Sequence, residues 1–170
     1  MAYTTIDDPS VYFQTQLYTG NGGTQTITNS GNSNLQPDWI WTKERTNTSG
    51  NQNHTWVDSS RGSSKQLFVN LTSADATSSA FVTSFNSDGF SLGDNANINN
   101  NSSNYVAWQW KVNGGSATSF SESGSQIGGA RYVNTTAGIS IITYTGNGSS
   151  DSTIPHGLGV TPEYVIVKNR

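Results

Sequence analysis

The chain has 170 residues and no cysteine, so a single sizeable core must hold it together without disulfides or thiolate metal sites, and thiol nucleophiles are excluded. Only 11% of residues are charged, the net charge is −3, and the eight basic residues are scattered, a distribution that argues against a nucleic-acid partner. The N-terminus has neither a basic nor an apolar leader region and no apolar run could cross a bilayer, so a soluble protein without membrane insertion or Sec export is expected.

Asn, Ser, Thr and Gly make up about half the chain, and their short side chains compete for backbone hydrogen bonds, which disfavours helix. Aromatic residues nevertheless reach 11% and come in clusters, so the chain reads as folded and all-β. Residues 1–11, with Pro9, read as an N-terminal arm free to contact a neighbour. A strand over 12–18 is followed by Gly20-Asn21-Gly22-Gly23, where positive φ is cheap, and Thr24 to Thr28 is expected to return as its hairpin partner. After a polar loop at 29–34, Pro37-Asp38 opens Trp39-Ile40-Trp41, apolar on both faces as a core strand would be. A polar loop at 46–53 precedes two short strands, Thr55-Trp56-Val57 and Lys65 to Leu71. Asp88-Gly89 then marks a hairpin between 80–86 and 90–93. The Asn/Ser run from Asn95 to Asn104 reads as a surface loop.

Tyr105 to Val112 alternates with period two. The expectation is that Val106, Trp108, Trp110 and Val112 face the core, while Tyr105, Ala107, Gln109 and Lys111 face water. The division that results is a sandwich domain over 12–113, a Gly/Ser-rich linker or long loop over 114–138, and a closing segment over 139–170.

That closing segment repeats the beginning. Tyr18-Thr19-Gly20-Asn21-Gly22 recurs as Tyr144-Thr145-Gly146-Asn147-Gly148, and Pro37-Asp38-Trp39-Ile40-Trp41-Thr42-Lys43-Glu44-Arg45 is echoed by Pro162-Glu163-Tyr164-Val165-Ile166-Val167-Lys168-Asn169-Arg170. Two readings stay open: residues 139–170 begin a second copy of the unit in a chain that continues, or they supply closing strands to the first domain. The first is favoured, because the second copy retains the core strand pattern of a domain whose remaining strands would otherwise be absent.

These blocks, together with Asp58-Ser59-Ser60-Arg61-Gly62-Ser63-Ser64-Lys65, Phe85-Asn86-Ser87-Asp88-Gly89-Phe90-Ser91-Leu92-Gly93 and Tyr105-Val106-Ala107-Trp108-Gln109-Trp110-Lys111, resemble a repeated domain of tail-fibre and virion structural proteins of marine, cyanophage-like bacteriophages. The resemblance implies an antiparallel two-layer β-sandwich of jelly-roll or concanavalin-like type. It further implies a non-enzymatic part of the virion, assembled in the host cytoplasm, that attaches to other virion proteins and presents host-receptor-binding parts. A homo-oligomer is expected, a trimer if the chain belongs to a fibre. The alternatives are a capsid decoration protein and a lectin-like module bound to a host surface glycan.

No catalytic set, cofactor site or metal site is expected. His54, Asp58 and Ser60 are close in sequence but lack a Gly-x-Ser-x-Gly nucleophile elbow. Asp58, Asp88 and Glu122 do not form a recognisable glycosidase pair, and Asp94, Asn95, Asn97 and Asn99 lack the carboxylates of a calcium loop. His156, between Pro155 and Gly157, reads as a turn residue. Candidate surface-binding residues are Trp56, whose polar neighbours suggest an exposed ring able to stack on a sugar, and the nearby Arg61 and Lys65.

Overall fold

A computed structural model describes residues 6–46, 52–112 and 116–170. Its strands are β1 (Phe13–Thr19), β2 (Gln25–Ile27), β3 (Trp39–Glu44), β4 (Thr55–Asp58), β5 (Lys65–Phe68), β6 (Ala76–Thr77), β7 (Val82–Asn86), β8 (Gly89–Leu92), β9 (Asn104–Trp110), β10 (Thr118–Phe120), β11 (Gly129–Asn134) and β12 (Ile139–Tyr144). A 3-10 turn at Pro9–Val11 and the short helix α1 (Ala96–Asn99) complete the set. Met1 to Thr5 of the arm, most of the loop at 46–53 and Gly114-Gly115 lie outside the described residues.

The first unit is an antiparallel two-layer β-sandwich. One layer is a six-stranded sheet in the order β1-β9-β3-β4-β5-β6, and the other is β2-β8-β7. Between them pack Tyr18, Ile27, Ile40, Val57, Phe81, Val82, Phe90, Leu92, Ile98, Tyr105 and Ala107, the apolar core. A third sheet, β10-β11-β12, is formed by the later residues. Its Tyr132 hydroxyl donates to Ser60 O at 3.3 Å, linking it to the turn after β4.

The hairpin expected around Asp88-Gly89 is present: Phe85 pairs with Phe90 and Asn86 with Gly89, whose φ of +103° requires glycine. The hairpin expected between β1 and the Thr24 to Thr28 segment is not. β2 pairs with β8 in the opposite layer, so Gly20 to Gly23 is a corner that carries the chain from one sheet to the other. Gly20 is packed so closely there that a Cβ would overlap Asn100 O, and its N–H donates to Ser103 O at 2.8 Å.

The Asn-rich run is likewise not a solvated loop. Ile98 and Asn99 are fully buried in α1, which closes one end of the sandwich. Asn99 Nδ2 donates to Gly23 O at 2.5 Å and Gly93 O at 2.7 Å, while its Oδ1 accepts from Asn21 N at 3.0 Å. One primary amide thus satisfies three backbone groups where chain segments converge, and the burial of so polar a residue costs little.

The faces of β9 are the reverse of those expected from Tyr105 to Trp110, although Val106 and Val112, expected in the core, are buried at 7% and 3% exposure. Tyr105, Ala107 and Gln109 are 0% exposed and point between the layers, whereas Trp108 and Trp110 are half-buried on the outer side. Two of the inner polar groups have partners: Tyr105 Oη donates to Ala96 O at 2.8 Å and Gln109 Nε2 donates to Asn29 Oδ1 at 2.6 Å, while Gln109 Oε1 is buried without a partner among the described residues. Residue size suggested the wrong side, because hydrogen bonds to Ala96 and Asn29, distant in sequence, make polar tips acceptable between the layers.

Near the C-terminus the two repeated blocks part company. Tyr144 ends β12 much as Tyr18 lies near the end of β1, but residues 162–170 form no strand. Tyr164, Val165 and Val167 are 80%, 69% and 69% exposed, where the matching Trp39, Ile40 and Thr42 of β3 are flanked by β9 and β4.

Candidate outer aromatic face

Strand registers determine what shares the outer side of the six-stranded sheet. Phe13 lies opposite Trp110, which lies opposite Trp39, which lies opposite Asp58. In the next row Thr15, Trp108, Trp41, Trp56 and Leu67 follow one another across five strands. Directly opposed residues point to the same side, so all five tryptophans of the chain converge on one face.

The rings form one connected cluster. Trp39 stacks on Trp110 at 4.2 Å between centroids, and Phe13 meets Trp110 at 5.1 Å. Trp56 stands nearly perpendicular to Trp39 and to Trp41, at 4.9 and 5.6 Å, and Trp41 meets Trp108 at 5.8 Å. Offset and edge-to-face pairs of this kind each contribute about 0.5–1.5 kcal/mol beyond area burial, which stiffens the face. The indole N–H groups of Trp39, Trp108 and Trp110 donate to no protein acceptor among the described residues, so these half-buried donors remain open to water or a ligand.

His54, just before β4, borders the cluster. Its Nδ1 accepts from Trp41 Nε1 at 3.0 Å, which requires that nitrogen to be unprotonated. Burial, reinforced by the neighbouring Lys43 ammonium, holds the His54 pKa below the usual imidazole value. Lys43 Nζ itself donates to Gln52 O at 2.9 Å.

The candidate binding residues occupy different settings from those expected. Trp56 is the floor of the aromatic face rather than an exposed ring, at 9% exposure. Arg61 is fixed by Asp58: its Nε donates to Asp58 Oδ2 at 2.8 Å, Nη2 lies 2.6 Å from the same oxygen, and the Arg61 side chain is 3% exposed. A second carboxylate, Asp75, lies 3.7 Å from Nη1. Arg61 therefore staples the β4–β5 turn. Lys65, half-buried at the start of β5, is next to this staple.

His54, Asp58 and Ser60 are not assembled as a triad. Ser60 Oγ donates to Asp58, which is already paired with Arg61, and His54 Nδ1 is occupied by Trp41. Asp88 Oδ1 accepts from Leu35 N at 3.2 Å, a structural tie between distant segments, and His156 Nδ1 accepts from Leu158 N at 3.2 Å within its own turn. Asp94 is exposed, and Asn95 caps α1 by accepting from Asn97 N at 2.9 Å. Among the described residues no three His, Cys, Asp or Glu side chains converge as metal ligands, and no helix is long and apolar enough to cross a membrane.

Sequence reasoning missed the aromatic face because it assigned four of its tryptophans to the core. The signal was present: Trp39 and Trp41, like Trp108 and Trp110, are spaced by two, and both pairs lie in strands whose intervening residues, Ile40 and Gln109, turn out to be buried.

Comparison with curated proteins and with solved structures found no match. A family model described as a domain of unknown function (DUF7483) matches residues 8–170, and the chain belongs to that family.

Proposed function

We propose that the chain is a non-catalytic structural module of a bacteriophage particle, a component of a tail fibre or of the tail, whose outer aromatic face docks on another virion protein. The observation that carries this reading is the gathering of Trp39, Trp41, Trp56, Trp108 and Trp110 on the side of the sheet away from its core. Indole is expensive to leave partly in water, and a rigid cluster of it is the usual anchor of a protein contact. The resemblance of the strand blocks to marine phage fibre domains supplies the particle. Assembly in the host cytoplasm and residence in the virion follow from that reading, and a capsid decoration role would use the same face.

A second reading rests on a separate feature, the three half-buried indoles whose N–H groups donate to no protein acceptor among the described residues. A lectin-like module would stack sugar rings on them and offer the donors to hydroxyls. Immunogold electron microscopy with antibody to the chain separates the readings from a soluble enzyme or effector: label at a fixed place on purified particles supports the structural role, and particles without the chain overturn it. Glycan-array binding lost in Trp108→Ala would favour the second reading.

A further inference from the structure

Strand β1 is the outermost strand of the six-stranded sheet; the loop at 30–33 touches it through the side chains of Gln14 and Gln16, but charge, proline and bulge, which normally guard such an edge, are missing from it. Its sequence, Phe13 to Thr19, contains no charged residue and no proline, and its pairing with β9 runs through seven consecutive positions without a bulge. The opposite edge, β6, is only two residues long. Of the two edges of the third sheet, β10 is three residues long and β12 keeps all six residues half-buried. On β1, by contrast, Phe13 is 39% and Leu17 is 52% exposed, and Val11 just before it is 38% exposed.

Backbone direction can be read from the bonds at the two ends of β1. Lys111 N donates to Tyr12 O at 2.8 Å, and Gly20 N donates to Ser103 O at 2.8 Å, both within the β1–β9 register. Even-numbered residues therefore direct their backbone groups to β9, and Phe13, Thr15, Leu17 and Thr19 direct theirs outward. Among the described residues, two of the outward carbonyls accept from flexible side chains: Gln16 Nε2 donates to Leu17 O and Gln25 Nε2 to Thr19 O, each at 3.0 Å.

We propose that this edge pairs with the β1 edge of a second copy of the chain, antiparallel and about a two-fold axis at Gln16. That register places Thr15 opposite Leu17 and Phe13 opposite Thr19 of the other copy. Every residue whose backbone points outward then meets another such residue, and the exposed side chains of both copies fall on the same outer side. A one-residue slip would put the exposed Leu17 and Phe13 on the wrong side, so the parity of the strand fixes the pairing. The occupant is a second copy because the edge is self-complementary: it has no charge to repel its own image, and an isologous contact needs only one surface. The two six-stranded sheets become one continuous sheet, with both aromatic faces on the same side. This pairing gives a dimer, in place of the trimer expected of a fibre, and it stands or falls independently of what the aromatic face meets.

The test uses the full chain. Sedimentation velocity should show a dimer at micromolar concentration. Thr15→Pro removes an outward N–H that β9 does not use, a change an edge strand tolerates, and Leu17→Lys brings like charges to the seam. Both should give monomers with unchanged far-UV circular dichroism. Register is tested by single cysteines in this cysteine-free chain. Under mild oxidation Gln16→Cys should form a covalent dimer, because residue 16 faces its own image at about 4.5 Å between Cα atoms. Phe13→Cys, which faces Thr19, should not. A monomeric wild type at high micromolar concentration, a dimer that persists in Leu17→Lys, or equal crosslinking of the two cysteine variants would overturn the proposal.

Discussion

Replacing Tyr105 by alanine should destabilise the protein far more than replacing Trp108, although the indole is the larger group. Tyr105 is 0% exposed, stacked on Tyr18 at 5.1 Å between centroids, and sealed between two sheets, so its removal leaves a cavity. Emptying such a site costs about 3–5 kcal/mol. Its hydroxyl also accepts from Asn100 N at 2.9 Å and donates to Ala96 O at 2.8 Å, and stranding these groups costs about 1–3 kcal/mol, the whole effect expected of Tyr105→Phe. Trp108 is half-buried on an open face, so its loss returns only partly covered surface to water and encloses no void. About 2 kcal/mol is expected for Trp108→Ala. Urea denaturation followed by circular dichroism gives the comparison without depending on the indoles as reporters. A loss for Trp108→Ala equal to or larger than that for Tyr105→Ala would refute the assignment of the two faces.

Arg61→Ala leaves the buried Asp58 carboxylate without its cation and should cost about 3–5 kcal/mol, measured by the same denaturation. Asn99→Asp turns the two N–H bonds to Gly23 O and Gly93 O into oxygen–oxygen contacts, and a loss of at least about 2 kcal/mol should appear as a lowered Tm. His54 should titrate below a histidine in an unfolded peptide, as an NMR titration would show. Since the unfolded chain binds the proton more readily, the stability due to His54 is complete above the unfolded pKa and is lost as pH falls through the folded pKa. Protonation of Nδ1 also breaks the bond from Trp41, so Trp fluorescence should change over the same range and stay flat there in His54→Ala.

How much of this was legible in the sequence depended on whether a local rule was enough. Asp88-Gly89 determined the β7–β8 hairpin because its turn chemistry is contained in two residues. Gly20 to Gly23 had equally good turn chemistry, yet the chain there crosses between layers, since β8 offers β2 a partner that local sequence cannot reveal. Period two was correctly read in β9, but period alone does not say which side is inside. That choice rested on bulk, and the buried amide of Gln109 and phenol of Tyr105 reversed it through partners more than eight residues away, at Asn29 and Ala96. Asn99 was hidden for the same reason, because composition describes an Asn-rich run as solvated unless the backbone groups awaiting those amides are known. The aromatic face could not be seen until the registers of β3, β4 and β9 were combined.

The central claim, that the outer aromatic face is a docking surface within a phage particle, is tested most directly by hydroxyl-radical footprinting of purified particles against the isolated chain. The account predicts that Trp39, Trp41, Trp108 and Trp110 are oxidised more slowly in the particle, while Tyr164, an exposed aromatic residue outside the cluster, changes little. Equal oxidation of the four indoles in both states, or particles that do not contain the chain, would contradict it.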